Sequence, residues 1–254
     1  MAQARTWKPP APPGVPARRG LDEAATLWWR REVDEASLRR DGRRWTAWTA
    51  AVLAAFIAPG VGLLLLSVWA LPVALVCLAH AWAVPWLQAR RGAQSVVPLG
   101  SGRSAARRPA AIGTAEGVAL GLLGDLVGHR ERELLLGTGL ALQRGRLGVW
   151  LVGERGALLL RPGGRRVDCW CVRVSNPDDL PAGDRIAHLL LALREDEAGF
   201  AMVANLGFSG ATWRVRRRLP APTRAAIDAA RRLARSKPRS DLPPGPTFEV
   251  SGTP

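Results

Sequence analysis

The chain has 254 residues, room for one or two domains, and its net charge of +15 comes almost entirely from arginine. Only Lys8 and Lys237 are lysines, so the arginine excess indicates a biased composition and is weak evidence for nucleic-acid binding. Cys77, Cys169 and Cys171 are odd in number, and the last two are too close along the chain for a disulfide, which argues against a disulfide-stabilised fold.

The first 42 residues combine a proline-rich tail with a charged helix. Residues 1–20 are rich in proline and predict a disordered or polyproline-like segment. Residues 21–42 predict a helix with acids at its start, arginines at its end and Gly42 as its stop. Trp28 and Trp29 favour an interfacial position on the membrane, and the alternative is that they pack on a soluble domain.

The segment Trp45–Leu87 contains 43 residues and not one Asp, Glu, Lys or Arg. A single helix of that length would be about 64 Å long, roughly twice the hydrocarbon thickness of a bilayer. Two helices at 45–66 and 73–89, with a turn around Ser67–Leu71, fit that thickness. A turn at Pro59 would leave the first helix too short, so the pattern predicts a transmembrane hairpin.

Local features support a hairpin over 45–89 and orient it. Pro72 suits the first turn of the second helix, where its missing N–H costs no hydrogen bond. Arg43-Arg44 and Arg90-Arg91 flank the hairpin on one side, which the positive-inside rule makes cytoplasmic. We therefore expect a two-helix, multi-pass protein of the cell membrane with both termini in the cytoplasm. The alternative is a buried hydrophobic hairpin in a soluble protein.

His80 is the one ionisable residue deep in the second predicted helix, which makes it a candidate functional group. The structural alternative is that its ring donates a hydrogen bond to the carbonyl of Ala55, which Pro59 leaves without a helical partner. A single histidine without an intramembrane carboxylate is a poor proton relay, so the structural interpretation is favoured.

Residues 90–112 predict a basic linker that contains Gly, Ser and Pro. Its arginines lie close to the membrane, where they can contact anionic lipid, although the positive-inside rule already accounts for them. These residues are Arg90, Arg91, Arg103, Arg107 and Arg108.

Residues 113–237 predict a cytosolic α+β domain with an antiparallel-dominated sheet, in the order α-β-β-β-α-β-β-α, and residues 238–254 predict a disordered tail. Apolar runs separated by turn residues indicate the strands, and longer amphipathic stretches indicate the helices. Helices are expected at 114–136, 184–196 and 222–236, and strands at 147–152, 156–161, 166–174, 200–206 and 211–219.

No catalytic, cofactor or metal motif stands out in the sequence. Cys169 and Cys171 place both sulfurs on one side of a strand, but with the isolated His129 and His188 they fall short of a four-ligand zinc site. A triad of Cys171, His188 and Asp184 has no local support. No cofactor is therefore expected, and an enzyme is the less favoured class.

The segment WRVRRR at 213–218 is the best candidate for binding an anionic partner. As a strand it would place Arg214, Arg216 and Arg218 on one face, with a tryptophan available for stacking. An edge strand protected by charge explains the same pattern more simply.

The sequence therefore predicts a two-pass membrane protein that presents a cytosolic α+β domain to a protein partner or a small ligand. One alternative is a membrane-tethered nucleic-acid-binding domain that uses Arg214, Arg216 and Arg218 of the last predicted strand. The order of elements also resembles the core of restriction-type nucleases. Those enzymes need carboxylates on the second and third strands to hold Mg²⁺, and here only Asp168 is available, so such a fold would be degenerate. The other alternative is an enzyme with an unrecognised site.

Overall fold

The computed structural model describes residues 29–30, 32–97, 114–172 and 180–236. Several predictions fall on other residues, namely the two terminal tails, the position of Trp28 and most of the linker with Arg103, Arg107 and Arg108. These predictions lie outside the described residues.

Two long helices form an antiparallel hairpin. Helix α1 spans Glu35–Leu66 and helix α2 spans Leu71–Gln94, and a short 3₁₀ helix at Val68–Ala70 turns the chain between them. The turn therefore lies where the length of the apolar segment predicts it. Trp69 at the turn is 91% exposed, and a proline occupies the first turn of α2 as expected.

Helix α1 begins later than the predicted N-terminal helix and does not stop at Gly42. Asp34 caps it by accepting a hydrogen bond from the backbone N–H of Ser37, whose hydroxyl oxygen accepts from the N–H of Asp34. Trp29 and Arg30 lie in a turn before this cap. Gly42 lies inside α1, where its missing side chain makes room for Arg161 and Arg166, so the last residues of the predicted N-terminal helix and the first apolar helix form one element.

Five antiparallel strands form a meander in which each strand pairs with the next along the chain, with a bulge between Cys169 and Trp170. The second and third strands are buried at every position, as expected for strands covered on both faces. The strands are β1 Ala141–Arg144, β2 Val149–Gly153, β3 Gly156–Leu160, β4 Arg166–Cys171 and β5 Asn205–Ala211.

The remaining helices flank the sheet, which confirms the predicted α+β class with an antiparallel sheet. The predicted helix 114–136 is split at Gly128, which is the N-cap of a second helix. The helices are α3 Ala115–Leu126, α4 His129–Thr138, α5 Ala182–Glu195, α6 Glu197–Val203, α7 Thr212–Arg216 and α8 Ala221–Arg235.

The strands predicted at 200–206 and 211–219 differ from the structure. Most of the first segment is helix α6. Asp196 caps this helix by accepting a hydrogen bond from the backbone N–H of Gly199, and the helix buries the side chain of Phe200. Strand β5 overlaps the end of the first predicted strand and the start of the second, and α7 replaces most of the second. The short strand β1 was not predicted, since half of its four residues are polar.

The two helices of the hairpin pack on opposite faces of the edge strand β5. Leu38 of α1 belongs to the hydrophobic core on one face of the sheet, with Trp150 and Leu159. The end of α2 contributes Ala89 and Ala93 to the core on the other face, which also contains Phe208. Both helices contact β5.

The first residues of the predicted linker are part of this core. Helix α2 continues to Gln94, and Val96 and Val97 are buried against the sheet. The apolar hairpin and the α+β domain therefore share packed side chains.

Candidate functional site

The candidate site is the hairpin base, which we define as residues 42–46 of α1 and 82–93 of α2 together with the arginines that contact them. It is the place where the apolar hairpin meets the sheet. Two features determine its geometry: a close approach of α2 to β5, and two groups of arginines, one beside each helix.

The close approach depends on Gly92. A methyl group at this position would collide with Cβ of Phe208 and would touch the sulfur of Cys169. Trp45 of α1 lies against the same phenylalanine, with ring centroids 5.8 Å apart. Phe208 therefore packs against both helices at the point where they leave the domain.

The two arginines beside α1, Arg161 and Arg166, both donate hydrogen bonds. Arg161 binds Asp168 in a bidentate ion pair, with N–O distances of 2.5 and 2.8 Å, and this carboxylate is completely buried. Arg166 donates to the carbonyl of Gly42 at 2.9 Å and to the hydroxyl of Thr46 at 3.2 Å. Burial, and secondarily the charge of Arg161, lowers the pKa of Arg166. These contacts tie α1 to the ends of β3 and β4.

Arg214 ties α2 to the other face of the sheet. It donates a 2.7 Å hydrogen bond to the backbone carbonyl of Pro85, and its guanidinium carbon lies 5.3 Å from the ring centroid of Phe208. Burial lowers the pKa of Arg214, and the nearby Arg218 lowers it further.

Two more arginines lie on one tryptophan of α2. The guanidinium carbons of Arg90 and Arg218 are each 5.0 Å from the ring centroid of Trp86. Arg217 lies over the ring of Trp213 at 5.1 Å. Burial, followed by the charges of Arg217 and Arg90, lowers the pKa of Arg218.

We call Arg90, Arg214, Arg217 and Arg218 the arginine cluster. Within the described ranges, no carboxylate lies at ion-pair distance from any of its members. The Nε atom of Arg218 is buried and has no hydrogen-bond partner there. The cluster is thus a concentration of positive charge that the described residues do not neutralise.

The predicted anion-binding arginines are only partly brought together. Arg214 lies in helix α7 and Arg218 in the turn that follows it, and both contact α2, whereas Arg216 does not join them. Arg216 forms a bidentate pair with Asp228 at 2.8 and 2.7 Å. The prediction of three arginines on one strand face is corrected accordingly.

Sequence reasoning did not connect the cluster with α2. The usable signal is the spacing of Trp82, Trp86 and Arg90, which are four residues apart and share one side of a helix. Stacking of the two tryptophan rings, with centroids 6.1 Å apart, fits this spacing.

His80 is satisfied within its own helix. Its Nδ1 atom lies 2.8 Å from the carbonyl oxygen of Val76, to which it donates, and its ring stacks on Phe56 with centroids 5.4 Å apart. The predicted acceptor, the carbonyl of Ala55, is therefore not the partner in the structure.

Groups with catalytic potential serve structural roles or are isolated. Glu116 accepts hydrogen bonds from the first backbone N–H groups of α5, and Glu197 accepts from the indole of Trp150 at 2.6 Å. Burial raises the pKa of the Cys169 thiol well above its ordinary value, while His188 is exposed. In the part of the chain that the structure describes, no three metal-ligating side chains come together.

Comparison of the chain with protein-family models, with curated proteins and with solved structures finds no match in any of the three. Function is therefore inferred from the hairpin and its base alone.

Proposed function

We propose that the chain is a two-pass membrane protein whose hairpin crosses the bilayer and fixes the α+β domain to the cytoplasmic surface. The observation that carries this proposal is the apolar surface of the hairpin. Soluble proteins do not leave a contiguous apolar surface that runs along two whole helices exposed to water. Its exposed large apolar side chains are Trp48, Ile57, Val61, Leu64, Leu65, Leu66, Val68, Trp69, Leu71, Val73, Leu75, Val76, Trp82 and Leu87.

The distribution of burial along the hairpin supports insertion in lipid. The most apolar 18-residue windows of the two helices have mean hydropathies of 2.3 and 1.8, yet only 6% and 11% of these residues are buried. Core helices of soluble proteins combine such hydropathy with extensive burial. An apolar helix that its own protein leaves uncovered needs an apolar solvent, and the bilayer provides one.

The contacts between the two helices are typical of membrane helix pairs. Gly60, Ala74 and Ala81 are the buried residues along the apolar part of the hairpin, and all are small. A methyl group on Gly60 would lie 3.2 Å from Cβ of Cys77, so the backbones approach closely. Small residues at helix interfaces with large apolar residues outside are the arrangement that packing in lipid favours.

The charges at the hairpin base support a cytoplasmic location for the domain. The arginine pairs at 43–44 and 90–91 flank the hairpin at its base, and the arginine cluster lies beside them. Positively charged residues are retained on the cytoplasmic side during insertion. Since both helices continue into the domain, the domain lies on the same side as these residues.

We propose that the domain serves to bind a partner at a fixed position relative to the membrane. Its attachment to both helices of the hairpin supports a role in which the position of the bound partner matters. A recess of about 300 Å³, lined by the polar or charged residues Glu131, Gln143, Arg144 and Arg194, is available for a polar segment or small ligand.

Cysteine accessibility in intact cells tests the topology. We would place single cysteines at Ser67, in the turn of the hairpin, and at Ser236, on the exposed end of α8. The background carries Cys77→Ala and Cys171→Ala and retains Cys169, whose buried, protonated thiol is expected to be unreactive. A membrane-impermeant thiol reagent should label Ser67→Cys in intact cells and Ser236→Cys only after lysis.

The background protein, with Cys169 as its one cysteine, is the control and should remain unlabelled in both conditions. Labelling of Ser236→Cys in intact cells would show that the domain lies outside and would refute the proposed orientation. Release of the whole chain from membranes by alkaline carbonate would refute the membrane anchor itself.

A further inference from the structure

We propose that the arginine cluster, Arg90, Arg214, Arg217 and Arg218, binds the headgroup phosphate of an anionic phospholipid in the inner leaflet. This inference rests on the proposed function, because it requires the hairpin to be in a bilayer. It assigns a ligand class and a defined set of residues to the hairpin base.

The first step of the argument is the unbalanced charge of the cluster. Arg161 and Arg216 are partly buried and are paired with Asp168 and Asp228, whereas Arg166 donates to a backbone carbonyl and a hydroxyl. The four arginines of the cluster have no such partner in the described ranges, although two of them lie on the same indole ring. Arg214 and Arg218 are partly buried while Arg90 and Arg217 are exposed, and like charges gathered this closely repel one another unless an anion lies among them.

The second step is the availability of hydrogen-bond donors. Arg214 is held in place by the carbonyl of Pro85. Arg90, Arg217 and Arg218 have ring contacts but donate no side-chain hydrogen bond to any described residue. Ring contacts fix the planes of the guanidinium groups and leave N–H groups at their edges for phosphate oxygens, which arginine binds in a planar, often bidentate manner.

The third step is depth in the membrane, which distinguishes a lipid from a soluble phosphate. Trp82 and Trp86 lie on consecutive turns of α2, and Trp82 is 69% exposed. Tryptophan side chains concentrate at the level of the lipid headgroups in membranes. Arg90 follows one turn later, about 6 Å further along the helix axis. The cluster contacts Trp86 and Arg90, so it lies where the phosphates of the inner leaflet are found.

The test measures lipid selectivity of the full chain reconstituted in phosphatidylcholine vesicles. Spin-labelled phosphatidylglycerol and spin-labelled phosphatidylcholine are added separately, and the fraction of immobilised label is compared by electron paramagnetic resonance. We expect the native chain to prefer phosphatidylglycerol about fivefold or more, since each arginine near an anionic surface contributes an effect of that order. The triple variant R90Q/R217Q/R218Q should lose most of this preference.

The matched control is R130Q/R232Q/R235Q, which removes the same charge from exposed arginines outside the cluster and should keep the preference. The single variant R90Q changes one exposed residue of α2, so it tests the site even if the triple variant misfolds; it should lower the preference measurably. Equal preference in the native chain and R90Q, or in the triple variant and its control, would overturn the inference.

Two further outcomes separate this inference from its premise. If the chain is washed from the vesicles by alkaline carbonate, the membrane anchor fails and with it the site. If the chain stays inserted but binds both lipids equally, only the phospholipid site is refuted. Loss of the preference in sodium phosphate, but not in sodium chloride of equal ionic strength, would assign the cluster to a soluble phosphate and overturn the lipid assignment.

Discussion

Gly92 sets the distance between the hairpin and the sheet. In a helix, alanine is favoured over glycine by about 1 kcal/mol, so a glycine in α2 is costly unless packing requires it. Packing does require it here, since any side chain would meet the β-carbon of Phe208 rather than the flexible end of a side chain. Gly92 therefore lowers the intrinsic stability of the helix but allows close contact between α2 and β5.

We expect Gly92→Ala to lower the free energy of unfolding by about 1–3 kcal/mol, the usual cost of overpacking a core. The measurement is thermal unfolding of the purified chain in detergent. Gly121→Ala is the matched control, because Gly121 also lies inside a helix but has no neighbour near a new methyl group. That variant should be as stable as the native chain or up to about 1 kcal/mol more stable. Similar stability changes in both variants would contradict the close approach.

Single residues also show where sequence reasoning reached its limit. A structural role for His80 follows from its chemistry, but the choice between the carbonyls of Val76 and Ala55 depends on packing around the ring, including Phe56. The positive charge of Arg214 and Arg218 is evident in the sequence. Their contact with Trp86 or Pro85 is not, because it joins residues more than a hundred positions apart.

The short helix α7 shows why element type was difficult to predict for one segment. In the sequence ATWRVRRRL, arginine occupies every second position from 214 to 218, as on one face of a strand, yet Thr212 and Val215 are three apart and both are buried, as in a helix. Both periods fit so short a segment. The hairpin was easier, because an uncharged run of its length has few ways to satisfy its backbone and side chains together.

Helices α7 and α8 are joined by one ion pair. Arg216 accounts for most of the lowering of the pKa of Asp228, and Arg231 and Arg232 add to it. A carboxyl whose pKa is lower in the folded state stabilises the fold when ionised. That stabilisation is complete above the ordinary pKa of the carboxyl group and is lost as the pH falls through the depressed value.

We therefore expect Asp228→Asn to reduce stability at neutral pH and to have progressively less effect as the pH is lowered through the acidic range. Measuring the unfolding midpoint of both chains from neutral to strongly acidic pH tests this expectation. Asp125→Asn is the control, since Asp125 is exposed and its nearest arginine nitrogen is 3.9 Å away. A stability difference for Asp228→Asn that stays constant with pH would argue against an ionic origin.

At the scale of the whole molecule, the hairpin is a structural part of the domain. The core on one face of the sheet includes Leu38 of α1, and the core on the other includes Ala89, Ala93, Val96 and Val97 from the end of α2. Removing the hairpin would expose both faces of β5, including Phe208, which is otherwise fully buried. Sequence composition suggested a linker after residue 90 because the arginines and glycine there mask the buried positions between them.

We expect a fragment of residues 114–236 not to unfold cooperatively and to bind hydrophobic dyes, because it lacks the helix that covers one face of its sheet. Extending the fragment to residues 88–236 restores Ala89, Ala93, Val96 and Val97 and should recover a cooperative transition and reduce dye binding. The same extended fragment with Gly92→Ala is the control, since it has the same length but cannot make the close contact with Phe208. Cooperative unfolding of 114–236 itself would show that the α+β domain folds independently of the hairpin.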